Sequence, residues 1–205
     1  MQGSPFHRGE VDWSGDNPGI YLKADPDGPY LSLMVWFRVA LSPHGPGHVL
    51  VLLENPSQAG APPGIANFCI ADNLPLARYL IENFCKKFGV FRGAAAFAGL
   101  PFIPMAGHET SGDMKTSSTV VVRAENLEVR LVWDKLGKPF AADVLPEKSA
   151  TGEHEMYSVF VESHDASIHV NDRRLNGRPQ LRDFMGRQAM SAFLACSETW
   201  VRAAK

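Results

Sequence analysis

The chain has 205 residues, of which 45% are hydrophobic and 20% are charged, and these are the proportions of an ordinary globular domain. Its 20 Lys and Arg stand against 22 Asp and Glu, and a formal net charge of -2 gives no overall attraction to nucleic acid or to an anionic membrane. The longest purely apolar runs are far shorter than the ~20 residues of a membrane-spanning helix. We therefore expect no nucleic acid and no membrane as partners.

The first 18 residues carry no apolar periodicity and are rich in turn formers. This composition predicts a loosely ordered arm over residues 1–18, followed by a single domain over residues 19–205. Because the opening residues also lack the charged start and apolar stretch of a secretory signal, we expect a cytoplasmic protein. The widely spaced cysteines are predicted to be buried thiols rather than disulfides or zinc ligands; they are Cys69, Cys85 and Cys196.

Three strand-like runs follow in a meander, since turn residues separate them at short intervals. They are GIYLKA from Gly19, YLSLMVWFRVAL over residues 30–41, and HVLVLLEN from His48. In the second run both alternating sets of side chains are largely apolar, which predicts a central strand that is buried on both faces.

The next segment changes to a helical period. Asp72 or Asn73 can cap the helix, Pro75 suits its first turn, and Gly89 can end it. Apolar side chains recur at helical spacing between these signals, so we predict one main amphipathic helix that packs on the sheet.

Residues 99–118 have no sustained period and contain several Gly, Pro and Ser. We predict a long loop here, and because loops of this length are uncommon unless they are functional, it is the first candidate site. The following run TVVVRAENLEVRLVW predicts a tight hairpin that turns at Ala124 to Asn126.

The last third of the chain predicts a second hairpin that turns near His164 to Ser167. We expect a short helix to begin at Pro179, and a closing strand in the run MSAFLACSETWVR.

Together these elements predict a strand-rich α+β fold, in which a curved antiparallel sheet or a partly closed β-barrel carries one main amphipathic helix. The outline resembles the calycin or lipocalin-like architectures, although the sequence carries none of their motifs. That resemblance implies a small barrel that can enclose one ligand.

Four polar residues of the predicted loop could supply catalytic groups: His108, Glu109, Asp113 and Lys115. If Lys115 is desolvated, it could also form a Schiff base with a carbonyl substrate. Surface exposure is the simpler interpretation of a single loop lysine.

Three histidines of the predicted second hairpin, over residues 153–169, are candidate ligands for zinc, iron or manganese, together with His108, Glu109 and Asp113 of the predicted loop. They are His154, His164 and His169. Their spacing matches no defined ligand pattern, and solvated surface histidines are the alternative interpretation.

The segment NDRRLNGRPQLRDFMGR has an excess of arginine, and Arg178 and Arg182 are predicted to bind the anionic group of a ligand. A solvated face with local ion pairs is the alternative. Three aromatic residues are predicted to line an apolar pocket inside the sheet; they are Trp36, Phe102 and Trp133.

The leading hypothesis is a small-molecule binding domain, with or without modest enzymatic activity, whose pocket lies inside the sheet beneath residues 99–118. A metal-dependent enzyme is the second hypothesis. The third is a structural protein that pairs its exposed strand edges with another copy, so a homodimer is a possible partner arrangement. The sequence identifies no cofactor, since it contains no Walker loop, GxGxxG, GxSxG, HExxH or CxxC motif.

Overall fold

β-strands make up most of this chain. The computed structural model describes residues 9–203. The first eight strands are β1 Gly9–Asp16, β2 Gly19–Lys23, β3 Tyr30–Leu41, β4 Gly47–Glu54, β5 Asn67–Ala71, β6 Phe102–Pro104, β7 Gly107–Gly112 and β8 Ser117–Ala124. The next seven are β9 Leu127–Leu136, β10 Phe140–Val144, β11 His154–Val170, β12 Arg173–Arg174, β13 Leu181–Phe184, β14 Arg187–Met190 and β15 Ala192–Ala203. The α-helix is α1, Leu74–Asn83, and the short 3₁₀ segments are Cys85–Lys87, Ala95–Phe97 and Pro146–Lys148.

Thirteen strands form one large curved sheet, and β13 and β14 form a separate hairpin. The main path of the sheet has the order β6-β5-β4-β3-β1-β15-β11-β9-β8-β7, while β2 pairs with β3 and β15, and β10 and β12 pair with β11. Neighbouring strands are antiparallel, with the exception of the parallel pair β5 and β6.

The two end strands of this path, β6 and β7, are consecutive in the sequence, and the residues between them link the two ends of the sheet. The backbone nitrogen of Met105 donates to the oxygen of Ala71, and that of Ala106 donates to the oxygen of Arg123. The sheet is therefore partly closed into a ring without becoming a barrel. This confirms the predicted curved sheet with one main helix.

Apolar side chains cover both faces of the sheet, as the two-sided pattern of β3 predicts. On one face, Leu33, Val35 and Phe37 pack with α1. On the other face, Met34 and Trp36 pack against side chains from the opposite half of the curve. Residues of both halves thus fill the inside of the curve, where the sequence predicts the ligand pocket.

Helix α1 begins where the sequence predicts. Asn73 is the cap, because its side-chain oxygen accepts a hydrogen bond of 3.1 Å from the backbone nitrogen of Leu76, and Pro75 lies in the first turn. Leu76 and Leu80 are fully buried against the sheet. The helix ends at Asn83, and a 3₁₀ turn continues the chain from Cys85.

Strand β1 replaces part of the predicted N-terminal arm. It lies inside the sheet, with β15 on one side and β3 on the other. Its Gly, Asp and Ser residues give no strand signal, so the strand depends on these two neighbours and on the complete burial of Trp13. Residues 1–8 of the predicted arm lie outside the described residues.

The predicted loop over residues 99–118 is wrong, because strands β6 and β7 lie within it and β8 begins in it. The predicted turn near His164 to Ser167 is also wrong, since β11 runs without interruption for 17 residues. Its polar residues resemble a turn only in composition: Ala166 and Ile168 are buried while Ser167 and His169 are half-buried, which is ordinary strand alternation.

The short helix predicted at Pro179 is a hairpin instead. Strands β13 and β14 are joined by Met185 and Gly186, whose φ angles are 56° and 82°. Two consecutive positive φ angles are those of a type I′ turn, which fits the twist of paired strands. Methionine is a rare residue at such a position, so the sequence gives no turn signal there.

Candidate functional site

A pocket lies beneath the β13–β14 hairpin, on the face of the sheet that also carries α1. We call it the hairpin pocket. The hairpin forms one wall, the segment after α1 and residues 148–150 form others, and β11 and β15 form the floor. Its volume is about 280 Å³, which is near the lower end of the ~300–1,000 Å³ range of small-molecule sites. The lining includes these aromatic and thioether side chains: Phe88, Met156, Phe160, Phe184, Phe193 and Trp200.

The floor of the hairpin pocket forms at irregularities in two neighbouring strands. Asn17 and Pro18 separate the end of β1 from the start of β2. In β15, Ser197 has a φ of 53°, and the register with β11 shifts between Tyr157 and Val159. A bulge of this kind redirects the following side chains, and here Glu198 points into the apolar layer.

Glu198 is a buried carboxyl group at this floor, with only 3% of its surface exposed. Its Oε1 accepts hydrogen bonds from the Trp200 indole nitrogen at 2.7 Å and from the Asn17 amide nitrogen at 3.0 Å. Burial outweighs these hydrogen bonds and raises the pKa of Glu198 to about 7. The carboxyl group is therefore neutral below that pH.

Arg182 extends from β13 into the same pocket and lies among three aromatic rings. Its guanidinium carbon is 4.9 Å from the ring centre of Phe184, 5.5 Å from that of Tyr21 and 5.6 Å from that of Phe193. The Nε atom is buried without a hydrogen-bond partner, and no carboxylate among residues 9–203 forms an ion pair with this side chain. Its Nη1 atom makes one long hydrogen bond, of 3.5 Å, to the backbone oxygen of Asp183. Stacking on rings stabilises a guanidinium and leaves its remaining donors free.

A second unpaired polar atom faces the same region. The Oδ1 atom of Asn17 is buried and has no hydrogen-bond partner, although its amide nitrogen is bonded to Glu198. Burial raises the pKa of Tyr21, and both Arg182 and Glu198 are close enough to influence that phenol. The hairpin pocket thus combines an apolar wall with donors and acceptors that the chain itself leaves unsatisfied.

Of the predicted ligand-binding residues, Arg182 lies in the hairpin pocket and the others lie elsewhere. The Arg178 side chain is exposed, and Trp133 is fully buried with its indole nitrogen donating to the oxygen of Gly19 at 3.1 Å. Phe102 lies in a separate surface groove, 4.5 Å below the guanidinium of Arg78.

Trp36 and His108 are brought together at the place where the sheet nearly closes. The His108 ring is 5.5 Å from Trp36 and 4.0 Å from His48, measured between ring centres. His48 Nδ1 is 2.7 Å from a carboxylate oxygen of Asp72. Burial and the neighbouring His48 lower the pKa of His108. The group resembles an acid–base dyad, but it lies at the surface beside the closing edge.

The other predicted catalytic residues form structural contacts. Glu109 pairs with Arg123 at 2.8 Å. The Oδ1 atom of Asp113 accepts hydrogen bonds from the backbone of the three residues that follow Met114, so this side chain caps the turn between β7 and β8, and those bonds lower its pKa. Lys115 is exposed on that turn, where the desolvation needed for Schiff-base chemistry is absent.

The three predicted metal ligands do not come together. His154 is buried and pairs with Asp12, which also accepts from Arg202 at 2.6 Å. His164 is exposed in mid-strand, and His169 lies fifteen residues along β11 from His154, which is about 50 Å of extended chain. Among residues 9–203, no three His, Cys, Asp or Glu side chains are grouped to hold a metal ion.

Among the polar residues of the pocket, the sequence analysis identifies Arg182 but misses Glu198, Asn17 and Tyr21. Alternation from Phe193 along the closing strand places Glu198 on the opposite face, and only the bulge at Ser197 brings it to the pocket. One feature of the sequence could have indicated this site: an acidic residue, Glu198, stands two positions before Trp200 in a largely apolar strand.

Comparisons of this chain with known protein families, curated proteins and solved structures found no match. Within the described part of the chain, no helix combines the length and the apolar character that crossing a bilayer requires. Any functional assignment therefore depends on the geometry of the hairpin pocket.

Proposed function

We propose that this chain is a small-molecule binding protein and that the hairpin pocket, rather than the inside of the curved sheet, holds the ligand. The proposal rests on one observation: an apolar pocket of about 280 Å³ contains a buried carboxyl group and an arginine without an ionic partner. Small-molecule sites have this composition, since a mostly apolar lining supplies affinity and a few polar groups fix orientation.

Glu198 gives this site a capacity for acid–base chemistry. With a pKa of about 7, it can accept or donate a proton near neutral pH. We assign any proton transfer in the pocket to this residue. The three free thiols agree with a cytoplasmic setting, which is part of the proposal.

A fragment screen by ligand-observed NMR tests the proposal, with fragments at about 1 mM so that weak binding is detected. The Ala150→Phe variant places a ring in the pocket wall. Ala141→Phe makes the same change at an exposed position of β10.

We expect fragments that bind the wild type and Ala141→Phe but lose binding to Ala150→Phe. Thermal unfolding of both variants checks that each is folded. A screen without hits, or hits that bind Ala150→Phe as well as the wild type, contradicts the proposal.

A further inference from the structure

Two other arginines, Arg173 and Arg187, have the ionic partner that Arg182 lacks. Arg173 forms two hydrogen bonds of 2.7 Å with the carboxylate of Glu54. Arg187, on the partner strand of the same hairpin, lies 2.8 Å from Glu162 and stacks on Phe140. Both of these cations thus have a carboxylate, whereas Arg182 has three rings around it and no carboxylate from residues 9–203. Arg78 also stacks on a ring and forms no ion pair within the described chain, but it is exposed to solvent.

The geometry around Arg182 limits the direction from which an ionic partner can approach and the chemical group that it can carry. Rings of Tyr21, Phe184 and Phe193 surround the guanidinium, so the group that completes it must approach from the pocket. A guanidinium presents paired donors in one plane, and a carboxylate matches that pattern with two oxygens. The Nε atom, which lacks a partner, belongs to that donor set.

The charges around the pocket favour an anion. Arg92, Lys148 and Arg182 contribute positive charge to its lining, and Asp183 is the exposed acidic residue there. Glu198 adds no charge while it is protonated, and Tyr21 stays neutral because burial raises its pKa. The volume of about 280 Å³ and the aromatic walls leave room for one compact apolar body.

We infer that the ligand of the hairpin pocket is a small monocarboxylic acid with a compact apolar or aromatic body, and that its carboxylate pairs with Arg182. This inference rests on the proposed function, because it names the class of molecule that the same pocket takes.

The protonation of Glu198 couples this binding to pH. Above about pH 7 the floor of the pocket gains a negative charge that repels a bound carboxylate. The groups around it are Asp16, whose charge also raises the pKa of Glu198, and the pocket residues Tyr21, Arg92, Lys148, Arg182 and Asp183. Affinity for a carboxylate therefore falls as the pH rises through 7.

Calorimetric titration with matched pairs of probes tests the inference. Phenylacetate and 4-methylpentanoate are compared with their uncharged amides, which have nearly the same shape. At pH 6 we expect each acid to bind at least about tenfold more tightly than its amide. Arg182→Met keeps an apolar stem and should remove that difference, while Arg178→Met changes an exposed arginine and should preserve it.

The same titrations at pH 6 and pH 8 test the role of Glu198. Wild-type affinity for phenylacetate, which is ionised at both values, should fall several-fold at pH 8. Glu198→Gln keeps the acceptor for Trp200 and Asn17 and should remove that fall.

Acids and amides that bind equally well, or acids that bind Arg182→Met as tightly as the wild type, overturn the inference and leave the proposed function standing. If the fragment screen also fails to find any molecule that Ala150→Phe excludes, the proposed function itself is overturned.

Discussion

The pKa values of two buried carboxyl groups of this sheet are shifted in opposite directions. Asp12 of β1 lies beside His154 and Arg202, and although burial alone would raise its pKa, hydrogen bonds from these two side chains lower it. Glu198 of β15 receives hydrogen bonds only from neutral groups, and burial raises its pKa to about 7. The comparison shows that charged partners outweigh the effect of burial on the pKa of Asp12, whereas the neutral partners of Glu198 do not.

The difference also separates a structural network from a binding site. Around Asp12 the chain supplies both charges, and the network is complete. Around Glu198 the pocket contains a cation, Arg182, that forms no ion pair with it. The polar groups of the hairpin pocket are therefore available to a molecule from outside.

Removing the centre of the complete network should have the largest effect. Asp12→Ala leaves His154 and Arg202 without their carboxylate, and we expect a loss of about 4 kcal/mol in the free energy of unfolding. Urea denaturation at pH 7 measures it. The exposed Asp143→Ala on β10 is the control and should change stability by less than about 0.5 kcal/mol. A loss below about 1 kcal/mol for Asp12→Ala would show that the network contributes little.

Neutralising the uncompensated carboxyl group should act in the opposite direction and only at higher pH. Glu198 is protonated in both states below about pH 4.5, and between pH 4.5 and 7 the unfolded chain releases a proton that the folded chain keeps. Wild-type stability therefore falls as the pH rises through this window. Glu198→Gln should remove a penalty of roughly 3 kcal/mol at pH 8.

Denaturation curves of the wild type and of Glu198→Gln at pH 4.5 and pH 8 measure that penalty. At pH 4.5 the two proteins should have nearly equal stability. A variant that is equally stable at pH 4.5 but not stabilised at pH 8 would mean that Glu198 is ionised and compensated in the folded chain.

The smallest change is expected at Arg182 in the absence of ligand. Arg182→Met removes a buried donor that has no partner and keeps the contact with the rings, so stability should change by about 1 kcal/mol or less. Arg187→Met changes another arginine of the same hairpin, breaks its pair with Glu162 of β11, and is the matched comparison. A larger loss for Arg182→Met than for Arg187→Met would give Arg182 a structural role in place of a binding role.

The sequence correctly predicts those elements whose own residues specify their conformation and their buried face. Asn73, Pro75 and the apolar spacing of α1 specify a helix start and a buried face, and the two-sided β3 is specified by its own side chains. Leu127 to Asp134 alternate in the sequence as they do in β9. In each case one segment carries the whole signal.

The hairpin pocket could not be predicted in this way, because distant partners create it. Glu198 reaches the floor through the bulge at Ser197, whose need for a positive φ is not evident from serine. The wall depends on a turn at Met185, and β1 depends on two neighbours that are remote in sequence. Arg182 was identified from local charge, but its aromatic surroundings come from three separate strands.

The most direct test of the binding site is the position of a bound probe relative to the two faces of the sheet. Intermolecular NOEs from the ring protons of phenylacetate report it. We predict NOEs to Trp200 and Phe184 of the hairpin pocket. NOEs to Trp36 or Trp133, which pack inside the curve, would contradict the site proposed for this protein.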